Sequence, residues 1–415
     1  MHLYILIIAI YNVIGENMKR AVVLSGGGAK GAYQIGVWKA LRKLKINYSI
    51  VTGTSVGALN GAFMVQNNYW KAVHMWYYMN FSRVFEHMDG DYHTLEGKKK
   101  ILLTYAKGVI NGGMNIQRLE QTLEKYLNPK KFYRSPIDFG LVTVNLTDLK
   151  ALSLKKEEIK LEELKDYLIA SASCFPAFPA KIIHGKKYID GGYYDNLPIQ
   201  LAIDLGAEEV IAVDLKAIGR KQKVKDHHVP ITYITPQTDI GSFLIFDKTL
   251  ARRAIRLGYY DTLKIFQKLE GTAYTFRLGE VEKITEHYVK PLLQTLEKQY
   301  QEEIMYKYPT LEAFVLEMID FLGHSFHIPE DHIYTARKFH RLLMRKYRKT
   351  EVLDFQTLKK LFKKKDQKVP YMGMILKYWC QTKNKKKETE ERFHFLPVMK
   401  ISAFYLNTIK KNVKF

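Results

Sequence analysis

Short apolar runs alternate with segments of helical periodicity along the first part of the chain. The run Arg20–Leu24 leads into a glycine-rich segment, residues 25–31, and apolar residues then follow at helical spacing from Ile35 to Leu44. A second run, Tyr48–Val51, is followed in the same way by a tight turn and by small and apolar residues. Both stretches predict the order strand, turn, helix.

The alternation continues to about residue 280. Further apolar runs predict buried strands at Phe139–Val144, Val210–Leu215 and Ile231–Ile234, and helical periodicity lies at Leu161–Ala172 and Pro198–Leu205. Strands separated by helices are typical of a mainly parallel sheet that is covered by helices. We therefore expect an α/β fold.

The strand pattern fades beyond residue 280. Segments with helical periodicity follow at Tyr288–Tyr300, Ala313–Leu322, Ala336–Arg348 and Thr357–Lys364. We expect an α/β domain at residues 18–280 and a helical, basic domain at residues 281–415, to which the sequence assigns no role.

The first 17 residues contain an apolar run of 12 residues, Leu3–Ile14. A helix needs roughly 20 apolar residues to span a bilayer, and the run lacks the basic leader and the small-residue cleavage site of a signal peptide. Two interpretations stay open for residues 1–17: an apolar leader on a membrane surface, or a mis-assigned start ahead of Met18.

Charge is the unusual bulk property. The chain carries 65 Lys and Arg against 42 Asp and Glu, a net charge of +23, and residues 301–415 hold 24 basic against 13 acidic residues. A basic surface favours nucleic acid or an anionic membrane. No nucleic-acid-binding motif accompanies the charge, so we do not expect nucleic acid as a partner.

Cysteine usage points to a reducing compartment. Only Cys174 and Cys380 occur, too few for a disulfide framework or a cysteine-rich metal site. We expect a cytoplasmic protein, with a peripheral position on the inner face of the membrane as the alternative.

The segment Gly53-Thr-Ser55-Val-Gly57 has the Gly-x-Ser-x-Gly spacing of a nucleophile elbow. In such a turn the serine adopts a strained backbone, and the flanking glycines leave room for it. The pentapeptide alone is a weak signal, because small residues at this spacing also pack a helix closely on a strand. Its place between a predicted strand and a predicted helix favours Ser55 as a nucleophile.

The glycine-rich segment fits two kinds of site. Its backbone amides at a helix start can bind an oxyanion, while Gly26, Gly28 and Gly31 also fit the Gly-x-Gly-x-x-Gly of dinucleotide-binding folds. A dinucleotide site needs an acidic residue about 20 positions later, and residues 17–85 contain no Asp or Glu. A P-loop is excluded because Ala32, and not Lys, follows Gly31. We therefore expect no cofactor.

The same lack of acidic residues means that a carboxylate acting on Ser55 comes from far along the chain. Asp190 is a candidate, because a short predicted strand delivers it into the bend Gly191-Gly192. Glycines there allow a neighbouring loop to approach the backbone closely. The alternative is an aspartate that only stabilises its own turn.

Together these segments resemble the patatin-like phospholipase family. The blocks that carry the resemblance are Gly26–Gly31, Gly53–Gly57, Asp190–Gly192, the proline-containing Ala170–Pro179, and Asp195–Pro198. The similarity covers about residues 18–270. It implies a three-layer α/β/α fold with a mainly parallel central sheet, and hydrolysis of acyl esters in phospholipids or related lipids by a Ser-Asp dyad.

The resemblance also implies roles for single residues. Ser55 would attack the ester carbonyl, and Asp190 would accept its proton and then assist water in releasing the acyl group. The oxyanion would be bound at Gly26, Gly27 and Gly28, with Lys30 as a further candidate. The expected substrate is a phospholipid or another acyl lipid, in the manner of a phospholipase A or a lysophospholipase. The sequence leaves head group, ester position and oligomeric state open.

Three alternatives accompany this interpretation. A Ser-Asp-His triad would draw on His227 or His228, whose basic, polar surroundings instead predict a solvated loop. No metal-binding motif occurs, so we expect no catalytic metal. The basic segments Lys338–Lys349 and Leu358–Lys365 could lie on an anionic membrane or form ordinary helices with lysine-rich outer faces. A catalytically idle, membrane-associated scaffold with the same fold is the alternative function.

Overall fold

The computed structural model describes residues 18–85, 94–110, 112–362, 372–382 and 397–412. The apolar run Leu3–Ile14 lies outside these ranges, as does the end of the basic segment Leu358–Lys365. The chain divides into two compact units, the first ending at Thr262 and the second beginning at Leu263. This division falls before the expected domain boundary near residue 280.

A central sheet of eight strands, counted over the described residues, organises the first unit. The strands are β1 (Arg20–Leu24), β2 (Ile50–Thr54), β3 (Asp138–Asn145), β4 (Lys150–Lys155), β5 (Lys181–Ile183), β6 (Lys186–Asp190), β7 (Glu209–Val213) and β8 (Ile231–Ile234). Their order is β5, β6, β3, β2, β1, β7, β8, with β4 also paired to β3. Pairs from β3 through β2, β1 and β7 to β8 are parallel, whereas β4 and β6 run antiparallel to β3. The expected mainly parallel α/β sheet is confirmed.

One edge of β3 is shared by two strands. Strand β4 pairs with residues 140–145 along one edge of β3. Along the other edge, β2 pairs with β3 up to Val142, and β6 pairs with it from Thr143 onward. Because β2 is parallel and β6 antiparallel to β3, their carboxyl ends point at each other. Thr54 pairs with Val142 and Asp190 with Thr143. The residues that follow β2 and end β6 are therefore neighbours.

Helices cover both faces of this sheet. They are α1 (Ala32–Lys43), α2 (Val56–Val65), α3 (Tyr69–Tyr77), α4 (Leu95–Ile110), α5 (Gln117–Tyr126), α6 (Pro129–Arg134), α7 (Leu164–Ser171), α8 (Ile199–Asp204) and α9 (Lys248–Ile265). On one face Gly61 of α2 lies against Val51 and Phe139. On the other, alternate strand residues such as Ala21 and Val23 form a core with Ile199 and Ala202 of α8, as the two-residue period of a strand requires. The result is the three-layer α/β/α arrangement.

Helices α1 and α9 pack with their backbones in close contact. A side chain at Gly36 of α1 would overlap the backbone carbonyl of Ile255, and one at Gly258 of α9 would overlap the carbonyl of Tyr33. The Tyr33 hydroxyl also donates a buried hydrogen bond to Asp261, at 2.9 Å. These contacts hold helix α9 against helix α1 in the first unit.

The second unit is helical around its own core. Its helices are α10 (Glu280–Ile284), α11 (Lys290–Thr295), α12 (Lys298–Lys307), α13 (Leu311–Ser325), α14 (Ala336–Lys349), α15 (Phe355–Phe362), α16 (Met372–Gln381) and α17 (Pro397–Asn412), with a π-helical turn at Thr285–Val289. Two short strands missed by the sequence pattern, β9 (Thr275–Phe276) and β10 (Ile333–Tyr334), pair in parallel. No helix within the described residues is both long enough and apolar enough to cross a membrane.

The expected single helix over Tyr288–Tyr300 is instead two helices. Leu296 adopts an extended backbone between α11 and α12, with φ −91° and ψ 155°. The side-chain amide of Gln301 donates to the carbonyls of Leu293 and Leu296, which the break exposes. A side chain from the next helix thus supplies the hydrogen bonds that a continuous helix would have made.

The basic segment Lys338–Lys349 lies in helix α14. Its apolar residues, including Phe339, Leu343 and Tyr347, are buried in the core of the second unit, and its cations lie on the outer face. The buried ammonium of Lys377 donates to the carbonyls of Arg348 and Thr350 and so caps the helix end. The segment is an ordinary packed helix with a lysine- and arginine-rich outer face.

The close contact of α1 and α9 makes Gly36→Ala a test of the fold. In a free helix this change would stabilise the helix by up to about 1 kcal/mol, because alanine has the higher helix propensity. Because the new methyl group would overlap the Ile255 carbonyl, we expect a net loss of about 1–3 kcal/mol in the free energy of unfolding, measured by denaturant titration. Lys43→Ala, at an exposed site of α1, should change it by no more than about 0.5 kcal/mol. A stabilised Gly36→Ala variant would contradict the close packing.

Candidate active site

Ser55 occupies the tight turn between β2 and α2. Its backbone has φ 58° and ψ −128°, a conformation that residues with a side chain rarely adopt. The surrounding structure holds it there, because the Ser55 amide donates to the Ser171 hydroxyl at 2.9 Å and that hydroxyl donates to the Val142 carbonyl at 2.7 Å. The strained serine that the elbow motif predicts is therefore present, and α7 supports it.

The two glycines of the elbow are required by close backbone contacts. A side chain at Gly53 would overlap the backbone of Gly57, and one at Gly57 would overlap the carbonyl of Leu24 in β1. Helix α2 can therefore start directly above the ends of β1 and β2. The motif is a packing requirement as well as a chemical one.

The glycine-rich segment lies beside this turn. Gly28 has φ +53°, and a side chain there would overlap the Phe243 carbonyl. The Gly26 amide is already engaged, because it donates to the Asn196 carbonyl at 3.0 Å. The amides of Gly27 and Gly28 have no such bond among the described residues and stand at the start of the short helix Gly28–Gly31. These two amides are available to an anion.

Asp190 ends β6 at the same place. Gly191 follows it and contacts the sheet so closely that a side chain there would overlap the Val142 carbonyl. One oxygen of the Asp190 carboxylate accepts the Gly192 amide at 2.7 Å. The aspartate thus does stabilise its own turn, and its carboxylate also interacts with Ser55.

Burial changes the acidity of Asp190. The side chain is 6% exposed, and removal from water raises its pKa from 3.8 to about 6. Hydrogen bonds from the Ser55 side chain and from the Gly192 amide oppose the rise by lowering the pKa. A carboxylate with a pKa near 6 is still ionised at neutral pH but is a stronger base than an exposed aspartate.

Ser55 and Asp190 line one cavity of about 570 Å³. Gly27 and Gly28 lie in its wall, and most of the remaining wall is apolar, with Phe175, Phe178, Ile218, Phe243 and Leu244. A second, smaller apolar cavity of about 40 Å³ also reaches Ser55. The serine therefore stands between apolar spaces of the kind that hold hydrocarbon chains.

Other candidate groups lie away from this cavity. Lys30 does not line it, nor does any histidine of the described chain, and His227 and His228 are exposed as predicted for a loop. Cys174 does line it, but burial, together with the charge of Asp190, raises its thiol pKa to about 11, so it is a poor nucleophile. Within the described ranges no cluster of His, Cys, Asp and Glu is placed to hold a metal ion.

Two residues of the site had no role assigned from the sequence. Ser171 supports the Ser55 backbone, and Asn196 binds the Gly26 amide through its carbonyl. Within the described part of the chain the Asn196 side-chain nitrogen is buried without a hydrogen-bond partner, while the side chain itself lies against Gly26, Gly192 and Gly219. Both residues belong to the family blocks, but their contacts depend on long-range folding that no local pattern encodes.

The fold and the site together define an α/β protein with a strained serine at a strand-to-helix turn and a carboxylate beside it. Residues 22–203 match the family model described as patatin-like phospholipase, so the likeness to that family lies in the first unit of the chain. The resemblance drawn from the sequence is confirmed.

Curated relatives carry the same family name or a related one. Patatin-like phospholipase domain-containing protein 7 of Rattus norvegicus is 25% identical over 195 residues, which are 47% of this chain and 13% of that protein. Lysophospholipase NTE1 of Coccidioides immitis is 28% identical over 265 residues, 60% of this chain and 15% of that protein. The chain thus spans only a small part of the length of these relatives.

A solved structure, VipD from Legionella pneumophila, aligns over 94% of this chain and 91% of its own, with 13% identity and a TM-score of 0.35.

The raised pKa of Asp190 predicts a pH-dependent gain in stability for Asp190→Asn. Below about pH 3 the carboxyl is protonated in both states, and burial costs little. Between about pH 4 and pH 6 it is ionised only in the unfolded state, and above pH 6 it is ionised in both states but buried only in the folded one. One pKa unit corresponds to about 1.4 kcal/mol, so the variant should be more stable by about 2–3 kcal/mol at pH 7.5 and nearly unchanged at about pH 3. Denaturant titrations at both pH values measure this. Equal stability of the two proteins at pH 7.5 would show that Asp190 is not buried as a charged group.

Proposed function

We propose that this protein is a serine acyl hydrolase that acts on lipid esters through Ser55 and Asp190. The observation that carries the proposal is a strained serine whose side chain interacts with a buried carboxylate of raised pKa inside an apolar cavity. The match to the patatin-like phospholipase family model supports lipid acyl hydrolysis as the general class of reaction. The Ser-Asp dyad is the finer part of the proposal.

Acylation is the first half of the reaction. The Ser55 hydroxyl attacks the ester carbonyl, and its proton passes to the Asp190 carboxylate. The carbonyl oxygen becomes negative, and the amides of Gly27 and Gly28 stabilise it together with the start of the helix Gly28–Gly31. Collapse of this intermediate releases the alcohol, which takes the proton from Asp190, and leaves the acyl group on Ser55.

Hydrolysis of the acyl-serine completes the cycle. A water molecule attacks the acyl carbonyl while Asp190 takes its proton, and the same two amides stabilise the second intermediate. The Ser55 oxygen leaves and regains the proton from Asp190, and the fatty acid is released. One carboxylate thus serves as base and then as acid in both halves, without a histidine between it and the serine.

Phospholipids or lysophospholipids are the proposed substrates. The apolar wall of the 570 Å³ cavity suits an acyl chain, and the relatives are named as phospholipase and lysophospholipase proteins. The walls contain few polar groups beyond Ser55, Asp190, Asn196 and Arg220, so acyl chain contacts should dominate binding.

Substitution of the two groups tests the dyad. Ser55→Ala should abolish fatty-acid release from mixed phospholipid vesicles, and Asp190→Asn should lower it by about 10²–10⁴-fold, the usual contribution of a general base. The matched control is Ser173→Ala, a buried serine whose hydroxyl donates to the Ile169 carbonyl and does not line the cavity. It should retain wild-type activity.

A serine-directed fluorophosphonate gives a second measurement. The wild type and Ser173→Ala should be labelled, and Ser55→Ala should not. Equal lipid hydrolysis by wild type, Ser55→Ala and Asp190→Asn refutes the mechanism. A wild type that neither hydrolyses lipid nor reacts with the probe supports the idle scaffold instead.

The pKa of Asp190 sets the expected pH profile. Because the base must be ionised, kcat/KM for a water-soluble ester should be constant above about pH 6 and fall about tenfold per pH unit below it. Initial rates between about pH 4 and 8 measure this. If the fall of kcat/KM below pH 6 persists in Asp190→Asn, or if kcat/KM of the wild type does not change through pH 6, another group limits the reaction.

A further inference from the structure

Helix α4 carries an apolar face that points away from the protein. Its buried residues, Gly97, Ile101 and Tyr105, recur every four positions and form one narrow stripe. Large apolar side chains elsewhere on the helix are exposed, with Leu102 at 69% and Ile110 at 83%. Several large apolar side chains exposed on one helix are unusual unless that face of the helix binds a partner.

The exposed apolar residues form a second stripe. They are Leu95, Leu102, Leu103, Ala106, Val109 and Ile110, and we call them the outward face of α4. Their spacings of three, four and seven positions put them on one side of a helix with 3.6 residues per turn. That side is opposite the stripe of Gly97, Ile101 and Tyr105. The helix therefore has two apolar faces, and among the described residues only one of them is packed.

Lysines accompany the outward face. Lys98, Lys99, Lys100 and Lys107 are all exposed on α4, against one acidic residue, Glu96. Lys99 lies four positions after Leu95 and so falls within the outward face, and the other three lie at its sides. Apolar side chains flanked by cations with long aliphatic stems are typical of helices that lie in the interface of an anionic bilayer.

The packed face of α4 is attached to the wall of the Ser55 cavity. The Tyr105 hydroxyl donates to the Leu244 carbonyl at 2.6 Å, and Leu244 lines the cavity. Just after the helix, the Met114 amide donates to the carbonyl of Ala177, another lining residue, at 2.8 Å. The lining also reaches the surface at apolar residues, with Ile218 91% exposed.

These observations favour a lipid surface over a second copy of the chain. A two-fold contact through the outward face would bring Lys99 of one copy, with its neighbouring lysines, close to those of the other, and burial would remove their water. On a bilayer the same lysine heads remain hydrated and meet anionic head groups. The apolar face of α14, by contrast, is buried in the core of the second unit.

We propose that the outward face of α4 docks this protein on anionic phospholipid bilayers and thereby holds the Ser55 cavity at the membrane surface. Docking does not depend on catalysis, whereas delivery of lipid from the bilayer to Ser55 rests on the proposed function. The sequence left membrane contact by the basic C-terminal segments open as one of two interpretations, whereas this proposal assigns the membrane contact to a helix of the first unit.

Vesicle sedimentation of the full chain tests the docking. All proteins carry Ser55→Ala, so that the lipid stays intact, and the vesicles contain phosphatidylcholine with or without phosphatidylglycerol. Leu102→Ser/Ile110→Ser should lower binding to the anionic vesicles by at least about tenfold. The matched control, Met305→Ser/Tyr306→Ser, removes two comparably exposed apolar side chains from the second unit and should bind as before.

Charge is tested in the same way. Lys98→Gln/Lys99→Gln/Lys100→Gln should weaken binding to the anionic vesicles and reduce its dependence on salt. Arg337→Gln/Arg341→Gln/Arg345→Gln removes equal charge from the exposed face of α14 and should have a much smaller effect. Unfolding midpoints of all variants should match that of the Ser55→Ala parent, because every further substituted side chain is exposed.

Three outcomes overturn the proposal: no binding of the parent protein to anionic vesicles, equal binding by Leu102→Ser/Ile110→Ser, or a dimer in light scattering that this variant abolishes. The last would assign the face to a second copy.

A further assay separates docking from catalysis. With Ser55 intact, Leu102→Ser/Ile110→Ser should hydrolyse a water-soluble ester at the wild-type rate and vesicle phospholipid more slowly. If the wild type cleaves neither substrate, the proposed function fails, while the sedimentation result still decides the docking.

Discussion

The shared edge of β3 is the constraint on which the rest of the site depends. Two strands of opposite direction pair with consecutive parts of that edge, so that the end of β2 at Thr54 meets the end of β6 at Asp190. Backbone hydrogen bonds, and not flexible side chains, therefore fix the separation of Ser55 and Asp190. The proposed Ser-Asp dyad, which has no histidine, needs direct contact between serine and carboxylate, and a sheet provides that precision better than loops alone.

Close backbone approach supplies the remaining geometry. Glycines at 53, 57 and 191 let α2 and the turn after β6 lie directly on the strand ends, where any side chain would overlap backbone atoms. Ser55 keeps a strained conformation because Ser171 binds its amide. The same closeness excludes water from Asp190 and raises its pKa, so that packing and acid-base chemistry have one cause.

The two units use their basic residues differently. In the second unit the apolar side of α14 is buried in the core, and its cations face solvent. In the first unit α4 is anchored by a narrow stripe and leaves a wide apolar face beside its lysines. Net charge alone does not distinguish these cases. What distinguishes them is whether the apolar residues that accompany the charge already have a partner.

The sequence by itself determined the features that neighbouring residues encode. The apolar runs gave β1, β3, β7 and β8 to within a few residues, and the elbow motif gave the strained turn at Ser55, because backbone strain and strand burial are local properties. Only the tertiary structure decided that Asp190 meets Ser55, that the Gly26 amide is engaged by Asn196, that the helix expected over Tyr288–Tyr300 breaks at Leu296, and which face of α4 stays exposed. These outcomes depend on which distant segments pack together, and no periodicity within one segment carries that information.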